Sequence, residues 1–353
     1  MCQNKGINKL ATIIILSYNS RDDLSGGIPS LLSQTYTNYE IIVVDNASTD
    51  KSQEFIKTSY PDVKLVETGS NLGYPAGNNA GARCAKGEYL VILNPDTVAD
   101  PDWLSQLIRP FEENKAIGLT TSKILIHGRH RSINTCANNS HFTGLDFCRG
   151  LYELASSFSE PQEVGAVSGC AFAIRREIFE ELGSFDPDFF LYLEDVDLSW
   201  RARLAGYKIM YVPTSIVYHK FHLSIAPWKE FYLERNRYLI LMKNCSLKML
   251  ILTSPALLVT EIVTWGHAVI HGIPYMHNKM RAYGWILTNL YKIILKRRGV
   301  QKDRKISDRE FIRLLEWKIP FEQVIENRVM RGIADAIFNS FYRIYFKIIQ
   351  RVL

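Results

Sequence analysis

Between residues 11 and 93, short unbroken apolar runs alternate with longer stretches of mixed polarity. Residues 12–16, 41–44, 63–66 and 89–93 are runs rich in Ile, Val and Leu with little polar alternation. Continuous apolar strands are buried on both faces, which fits a mostly parallel sheet covered by helices. The intervening segments predict helices over 22–34, 50–58 and 76–86. Residues 117–175 are less regular and β-rich, with turns at His127-Gly128 and Thr143-Gly144, and 166–174 returns to a strand-like run. An aromatic, apolar run at 189–193 reads as one more strand, followed by a helix-like segment over 197–206.

Beyond residue 215 the pattern changes. Residues 228–244 predict a helix with an aromatic stripe, Phe231, Tyr232 and Tyr238. The longest apolar segment, 247–273, is interrupted by Pro255, Glu261, His267 and His271. Residues 280–295 form another apolar helix closed by Lys296-Arg297-Arg298, and the tail over 338–353 mixes Phe, Tyr and Ile with Arg343, Lys347 and Arg351. About 20 apolar residues suffice to span a bilayer. Ionisable groups inside a span need buried partners, so a segment lying in the membrane interface, drawn to anionic lipid heads, fits better than a simple span. Insertion and a buried helical domain stay open. The expected organisation is an α/β domain over 1–225 and a helical, membrane-associated extension over 226–353.

Charge sharpens that division. Residues 1–200 hold 16 basic and 26 acidic residues, a balance of −10; residues 201–353 hold 26 and 10, a balance of +16. The basic charge lies among apolar helices rather than on a compact polar patch, which argues against nucleic-acid binding. Cys2, Cys84, Cys136, Cys148, Cys170 and Cys245 are scattered without zinc-ligand spacing and read as reduced thiols. The polar first nine residues do not resemble a secretory signal, so a cytoplasmic catalytic part is expected.

The candidate chemistry sits where apolar runs end. Glu194, Asp195 and Asp197 crowd together after the 189–193 run, and Asn94-Pro95-Asp96 follows 89–93. Close carboxylates raise one another's pKa, and ligands of open α/β sheets gather at the carboxyl ends of strands. A metal-and-base site and a solvated, acid-rich helix start both account for the cluster. Ser17-Tyr18-Asn19 and Asp45-Asn46-Ala47-Ser48 also close strands, an arrangement suited to a nucleotide. The loop from Asn71 to Gly81 has glycines at 73, 77 and 81 but matches neither a Walker A loop nor a GxGxxG fingerprint. It offers close backbone approach and a helix start that can face phosphate, or it is a plain turn.

Taken in order, Ile15-Leu16-Ser17-Tyr18-Asn19, Val44-Asp45-Asn46-Ala47-Ser48-Thr49-Asp50, Asn71-Leu72-Gly73-Tyr74-Pro75-Ala76-Gly77-Asn78-Asn79, Leu93-Asn94-Pro95-Asp96, Ser168-Gly169-Cys170-Ala171 and Glu194-Asp195-Val196-Asp197 resemble family-2 glycosyltransferases of the GT-A fold, in their bacterial rhamnosyltransferase-like branch. The resemblance covers roughly residues 10–245. It implies an α/β GT-A nucleotide-diphospho-sugar transferase domain and inverting transfer from a nucleoside-diphosphate sugar to a hydroxyl acceptor.

By the same resemblance, Asp45 contacts the base; by their own places at strand and loop ends, Ser17, Tyr18 and Asn19 are expected to touch base or ribose, and Asn46, Asn71, Gly73, Gly77, Asn78 and Asn94 to line the donor side. Asp96 binds Mg²⁺ or Mn²⁺, with Asn94 where the family's first metal-binding Asp stands. His219 and His222 complete that site or meet the diphosphate, unless they are structural. Asp195 is the catalytic base with Glu194 beside it, Asp197 caps a helix or pairs with Arg201, and Ser168, Gly169 and Cys170 shape the acceptor side. Arg235 and Arg237 approach an anionic group or form an exposed basic face.

The implied donor is a nucleoside-diphosphate sugar, with rhamnose suggested by the branch; the membrane-like tail, and nothing else, suggests a lipid-linked glycan acceptor met at the cytoplasmic face of the membrane. Two other classes stay open. A non-catalytic sugar-nucleotide-binding subunit is favoured by Asn94 replacing an acid. A nucleotidyltransferase would need a basic loop near the first strand, and residues 17–27 contain only Arg21.

Overall fold

A computed structural model describes residues 9–221 and 226–353. The chain forms two compact units, one of residues 1–138, 148–202 and 207–222, the other of 139–147, 203–206 and 223–353.

The first unit opens with the alternation expected from the apolar runs: β1 (Ala11–Ser17), α1 (Arg21–Leu32), β2 (Tyr39–Asp45), α2 (Ser52–Ser59), β3 (Lys64–Glu67), α3 (Gly73–Cys84) and β4 (Tyr89–Leu93). Along the chain follow β5 (Thr97–Ala99), α4 (Trp103–Glu113), β6 (Ile117–Ile126), β7 (Arg129–Thr135), β8 (Asn138–Ser140), β9 (Asp146–Cys148), β10 (Gln162–Glu163), β11 (Ala171–Arg175), α5 (Arg176–Glu181), α6 (Glu194–Leu204) and β12 (Lys208–His219), of which β8, β9 and the last two residues of α6 fall largely in the second unit. Strands β4, β1, β2 and β3 are parallel neighbours. Past β4 the sheet becomes mixed, because β11 runs antiparallel to both β4 and β6 while β12 is parallel to β6.

Burial follows the strand period of two. Ile13, Ile15, Val43 and Val91 pack with Leu24 and Ile28 of α1 and Trp103, Leu107 and Phe111 of α4. Ile14, Ile42, Val44, Leu90 and Ile92 face the other way, in a cluster with Ala82 of α3 and Leu198 and Ala202 of α6. With both faces covered, the open edge left to a ligand is at the strand ends.

Two local expectations change. Residues 189–193 are not a strand: Pro187–Phe189 is a 3₁₀ turn, and Phe190, Tyr192 and Leu193 have φ of 58°, 70° and 65°. The run packs against α3, with Phe189 and Leu193 buried and Phe190, Leu191 and Tyr192 half-buried, and Phe190 O accepts the Tyr74 N–H at 2.7 Å. Consequently α6 begins at Glu194 rather than at Asp197, and the acids occupy its first turn, where the helix dipole favours negative charge.

The second unit contains α7 (Pro227–Asn244), α8 (Leu247–His271), α9 (Ile273–Thr288), α10 (Leu290–Lys302), α11 (Asp308–Ile312), α12 (Arg328–Ala334) and α13 (Ser340–Val352). The helix expected over 280–295 is interrupted at Asn289, whose backbone N–H bonds to Trp285 O and ends α9.

Arg235 and Arg237 are buried, contrary to both roles considered for them. Arg237 Nη2 bonds Glu234 at 2.8 Å and pairs with Glu261; Lys279 Nζ lies 2.6 Å from Glu234 and 3.4 Å from Glu261. The Arg235 guanidinium instead lies over the rings of Phe231, Tyr232 and Trp285. Of the 25 large hydrophobic residues exposed among the described residues, 21 belong to this unit, so it carries nearly all the exposed apolar surface.

Candidate functional site

The parallel strands bring the first three motifs to one edge. Register pairs Ser17 with Asp45 at the ends of β1 and β2, and Ile15 with Leu93, which places Asn94 just past the same edge. Asp45 Oδ2 accepts from the Ser48 N–H (3.1 Å) and Gln53 Nε2 (2.7 Å), while its buried Oδ1 and the Ser17 hydroxyl have no protein partner. Tyr18 is half exposed. Asn19, at φ 53°, receives the Thr49 N–H on its side-chain oxygen at 2.7 Å, so it orders the neighbouring turn.

The glycine-containing segment is more helical than expected. Asn71 Oδ1 accepts the Gly73 N–H (2.9 Å) and Asn46 Nδ2 (3.0 Å), and Asn46 Oδ1 accepts the Leu72 N–H (2.9 Å). These two amides are therefore spent on shaping the loop. Gly77 and Asn78 lie inside α3: a Cβ on Gly77 would fall 2.4 Å from Leu16 Cδ1, so that glycine serves helix–strand packing. Asn78 Nδ2 donates to Tyr74 O at 2.9 Å and leaves its buried Oδ1 unpartnered. Asn79 instead holds Phe185 through both of that residue's backbone polar groups.

Asp96 and His219 do come together, at 3.2 Å between Oδ2 and Nε2. Nδ1 of His219 faces Asn134 Oδ1 at 2.8 Å, so both ring nitrogens meet oxygen acceptors. Burial lowers the basicity of this imidazole, but the Cys170 sulfur and the Asp96 carboxylate outweigh it and hold the ring at about 11. Asp96 Oδ1 is buried without a partner. Among the described residues no group of three or more His, Cys, Asp or Glu forms a metal cage. A hard cation here would need further oxygen from a ligand, as Mg²⁺ typically takes from substrate phosphates. His222 lies outside the described residues.

The base candidate is built from three segments. Asp195 Oδ2 accepts the Gly169 N–H at 2.6 Å and Asn138 Nδ2 at 3.2 Å, and Oδ1 accepts its neighbour Val196 N–H at 2.8 Å. Burial raises the Asp195 carboxyl above its ordinary range, opposed by those donors. Glu194 is raised further, by burial and then by the charge of Asp195, and its Oε2 has no partner. The donors around Asp195 place the shared negative charge there.

Asp197 pairs with Arg201 at 2.9 Å, one of the two roles expected. Ser168, Gly169 and Cys170 form the turn before β11, which starts at Ala171, five residues after the predicted run begins. Cys170 O accepts the Asn94 N–H at 2.9 Å, joining this turn to the end of β4.

Sequence reasoning missed Asn134, Asn138 and Tyr74. Their signal was weak: polar or amphipathic residues in otherwise buried segments, each meeting its partner across a long stretch of chain.

Residues 12–183 match the family model described as Glycosyl transferase family 2. The O-antigen biosynthesis protein RfbC of Myxococcus xanthus is 31% identical over 219 residues, covering 59% of this chain and only 17% of that protein's length. The N-acetylglucosaminyl-diphospho-decaprenol L-rhamnosyltransferase of Mycobacterium tuberculosis is 27% identical over 235 residues, 60% of this chain and 76% of its own. A crystal structure of GalNAc-T7 with UDP, GalNAc and Mn²⁺ superposes with a TM-score of 0.56 at 23% identity, over 67% of this chain and 48% of that one, which shows a shared GT-A fold.

Proposed function

We propose, for a chain that belongs to glycosyltransferase family 2, inverting transfer of a sugar from a nucleoside diphosphate to a hydroxyl acceptor. The observation that carries the proposal is a group of buried polar atoms without protein partners that falls on the motif residues: Ser17 Oγ, Asp45 Oδ1, Asn78 Oδ1, Asp96 Oδ1 and Glu194 Oε2. Leaving such atoms unpaired costs about 1–3 kcal/mol each. They fall on motif residues at the strand ends and in the two segments beside them, and a donor rich in N–H, hydroxyl and phosphate groups satisfies such a set.

In this reading Asp45 and Ser17 receive the nucleoside, with Tyr18 at the mouth. Asp96 would hold a divalent cation together with the donor diphosphate, and His219, protonated beside Asp96, would join it only by giving up a proton; such a cation would neutralise charge on the departing diphosphate. Asp195 accepts the acceptor's proton as its oxygen attacks the anomeric carbon opposite that leaving group. Glu194, kept protonated by burial and by Asp195, leaves the base as the single negative charge of the pair. Ser168, Gly169 and Cys170 flank the acceptor.

The sugar is proposed to be rhamnose and the acceptor a polyprenyl-diphosphate-linked glycan. The mycobacterial relative's name supports both, and the O-antigen relative supports a role in cell-surface polysaccharide synthesis. The acceptor would be met at the cytoplasmic face of the membrane, with residues 226–353 as the attachment. From α8 to α10 the only acid is Glu261, against eight Lys and Arg. The α13 helix sets Arg343, Lys347 and Arg351 beside exposed Ile344, Ile348 and Val352, a pattern of interfacial helices on anionic lipid. By length and composition α8 is able to cross a membrane, yet Glu261 in its middle is tied to α7 and α9, which favours a helix lying in the interface.

The test is nucleoside-diphosphate release from a panel of UDP-, GDP- and dTDP-sugars, using membranes with endogenous acceptors and added Mg²⁺ or Mn²⁺. Release from dTDP-rhamnose that disappears in Asp195→Asn supports the full reading. Release from another donor corrects the sugar alone. Donor binding with no release from any preparation turns the assignment to a sugar-nucleotide-binding subunit.

A further inference from the structure

The segment that delivers Asp195 is clamped by α3. Tyr74 N–H donates to Phe190 O at 2.7 Å, and Asn79 bonds Phe185 through N–H and carbonyl at 3.1 and 2.9 Å. The Tyr74 ring packs edge-on against Phe185. Its hydroxyl then reaches the Gly169 carbonyl at 2.5 Å, and the Gly169 N–H donates to Asp195 Oδ2 at 2.6 Å.

We propose that Tyr74 is a positioning residue for the base: by anchoring the Gly169 carbonyl, it holds the Gly169 N–H on Asp195 and ties the donor loop to the reacting carboxylate. Gly169 needs an anchor. Glycine has the freest backbone of any residue, and the ladder of β11 begins only at Ala171. A side chain there offers no substitute, since a Cβ would lie 3.1 Å from Asp195 Oδ2. The phenol has no part in proton transfer, because burial and then the negative charge of the neighbouring Glu194–Asp195 pair push it well above its ordinary range. The loop from Asn71 to Gly73 enters α3 immediately before Tyr74, so donor contacts at the loop and the geometry of the base share one rigid connection.

This inference rests on Asp195 being the base, and the experiment separates the two. Full-length Tyr74→Phe, Gly169→Ala and Asp195→Asn are compared by nucleoside-diphosphate release from the sugar-nucleotide panel across pH, with membranes supplying acceptor. Tyr74→Phe should lower kcat about tenfold through loss of alignment while donor KM stays within about twofold. The acid limb of its kcat/KM profile should move up by about one pH unit, as expected when a carboxylate loses a donor. Gly169→Ala disturbs the same contact from the other side and should move the same limb, which decides the matter if Tyr74→Phe does not fold. A limb unmoved in the folded variants, with Asp195→Asn inactive, overturns the positioning role and leaves the base assignment standing. Full turnover by Asp195→Asn overturns both.

Discussion

Replacing Asp195 by Asn should abolish transfer and at the same time stabilise the protein. Glu194 and Asp195 are 5% and 8% exposed, and burial holds both carboxyls above their ordinary range, Glu194 further because of its neighbour's charge. An acid whose folded pKa is raised binds more protons folded than unfolded. Its penalty therefore grows as pH climbs from the ordinary carboxylate value through the raised one. Each pH unit by which folding raises a carboxyl costs about 1.4 kcal/mol once it is ionised, so removing the Asp195 charge should relieve a penalty that grows with pH.

Against this, Asn keeps an oxygen for Gly169 and Asn138 but turns an amide N–H₂ towards the Val196 N–H, losing about 1 kcal/mol. At neutral pH the relieved penalty should exceed that loss and Tm should rise, by roughly 2–4 °C for each kcal/mol of net gain. The activation barrier should rise by about 3–5 kcal/mol, a rate loss of roughly 10²–10⁴. Urea unfolding of both proteins at pH 7 and pH 5, beside the release assay, reads the two effects. The stabilisation should shrink at pH 5, where the wild-type pair takes up protons. A variant that is less stable than wild type by the same amount at both pH values would refute the reasoning, because the carboxylates would then be a structural hydrogen-bonding hub.

Three further outcomes are expected. Lys279→Met should destabilise the helical unit by about 3–5 kcal/mol, by stranding Glu234 and Glu261 with one cation; adding Glu234→Gln should restore much of it, measured by a double-mutant cycle. Gly73→Ala meets φ +76° and a Cβ 2.4 Å from Phe190 O, so it should cost about 2–4 kcal/mol and raise donor KM; unchanged values in both assays would contradict the tight junction. Arg343→Gln, Lys347→Gln and Arg351→Gln together should remove about 3 kcal/mol of attraction to anionic surfaces. Co-sedimentation with phosphatidylglycerol-containing vesicles should fall accordingly, and undiminished binding would show that α13 is not the contact.

Much of the catalytic unit was legible because its signals are local. A continuous run such as 89–93 can bury itself only as an interior strand, and residues that end such a run, like Asp45 and Asp96, then stand at the carboxyl edge of a parallel sheet. Motif order supplied the family, and the apolar, basic character of the last third was visible as composition.

What the chain's pattern left undetermined are the choices made by distant partners. The 189–193 run carries a strand's composition, yet it lies under α3 because Gly73 and Tyr74 meet Phe190 there. Arg237 has the look of a surface cation until Glu261 and Lys279, from two later helices, close around it. His219 meets Asn134, and Asp195 meets Asn138 and Gly169, over dozens of residues of intervening chain. Periodicity reports which face of an element is apolar; it carries no record of which buried polar atom that face will encounter. The sequence by itself determined most of the strands, their polar ends and the family, whereas only the tertiary structure decided which donors surround the Asp195 carboxylate and which charges are buried together in the helical unit.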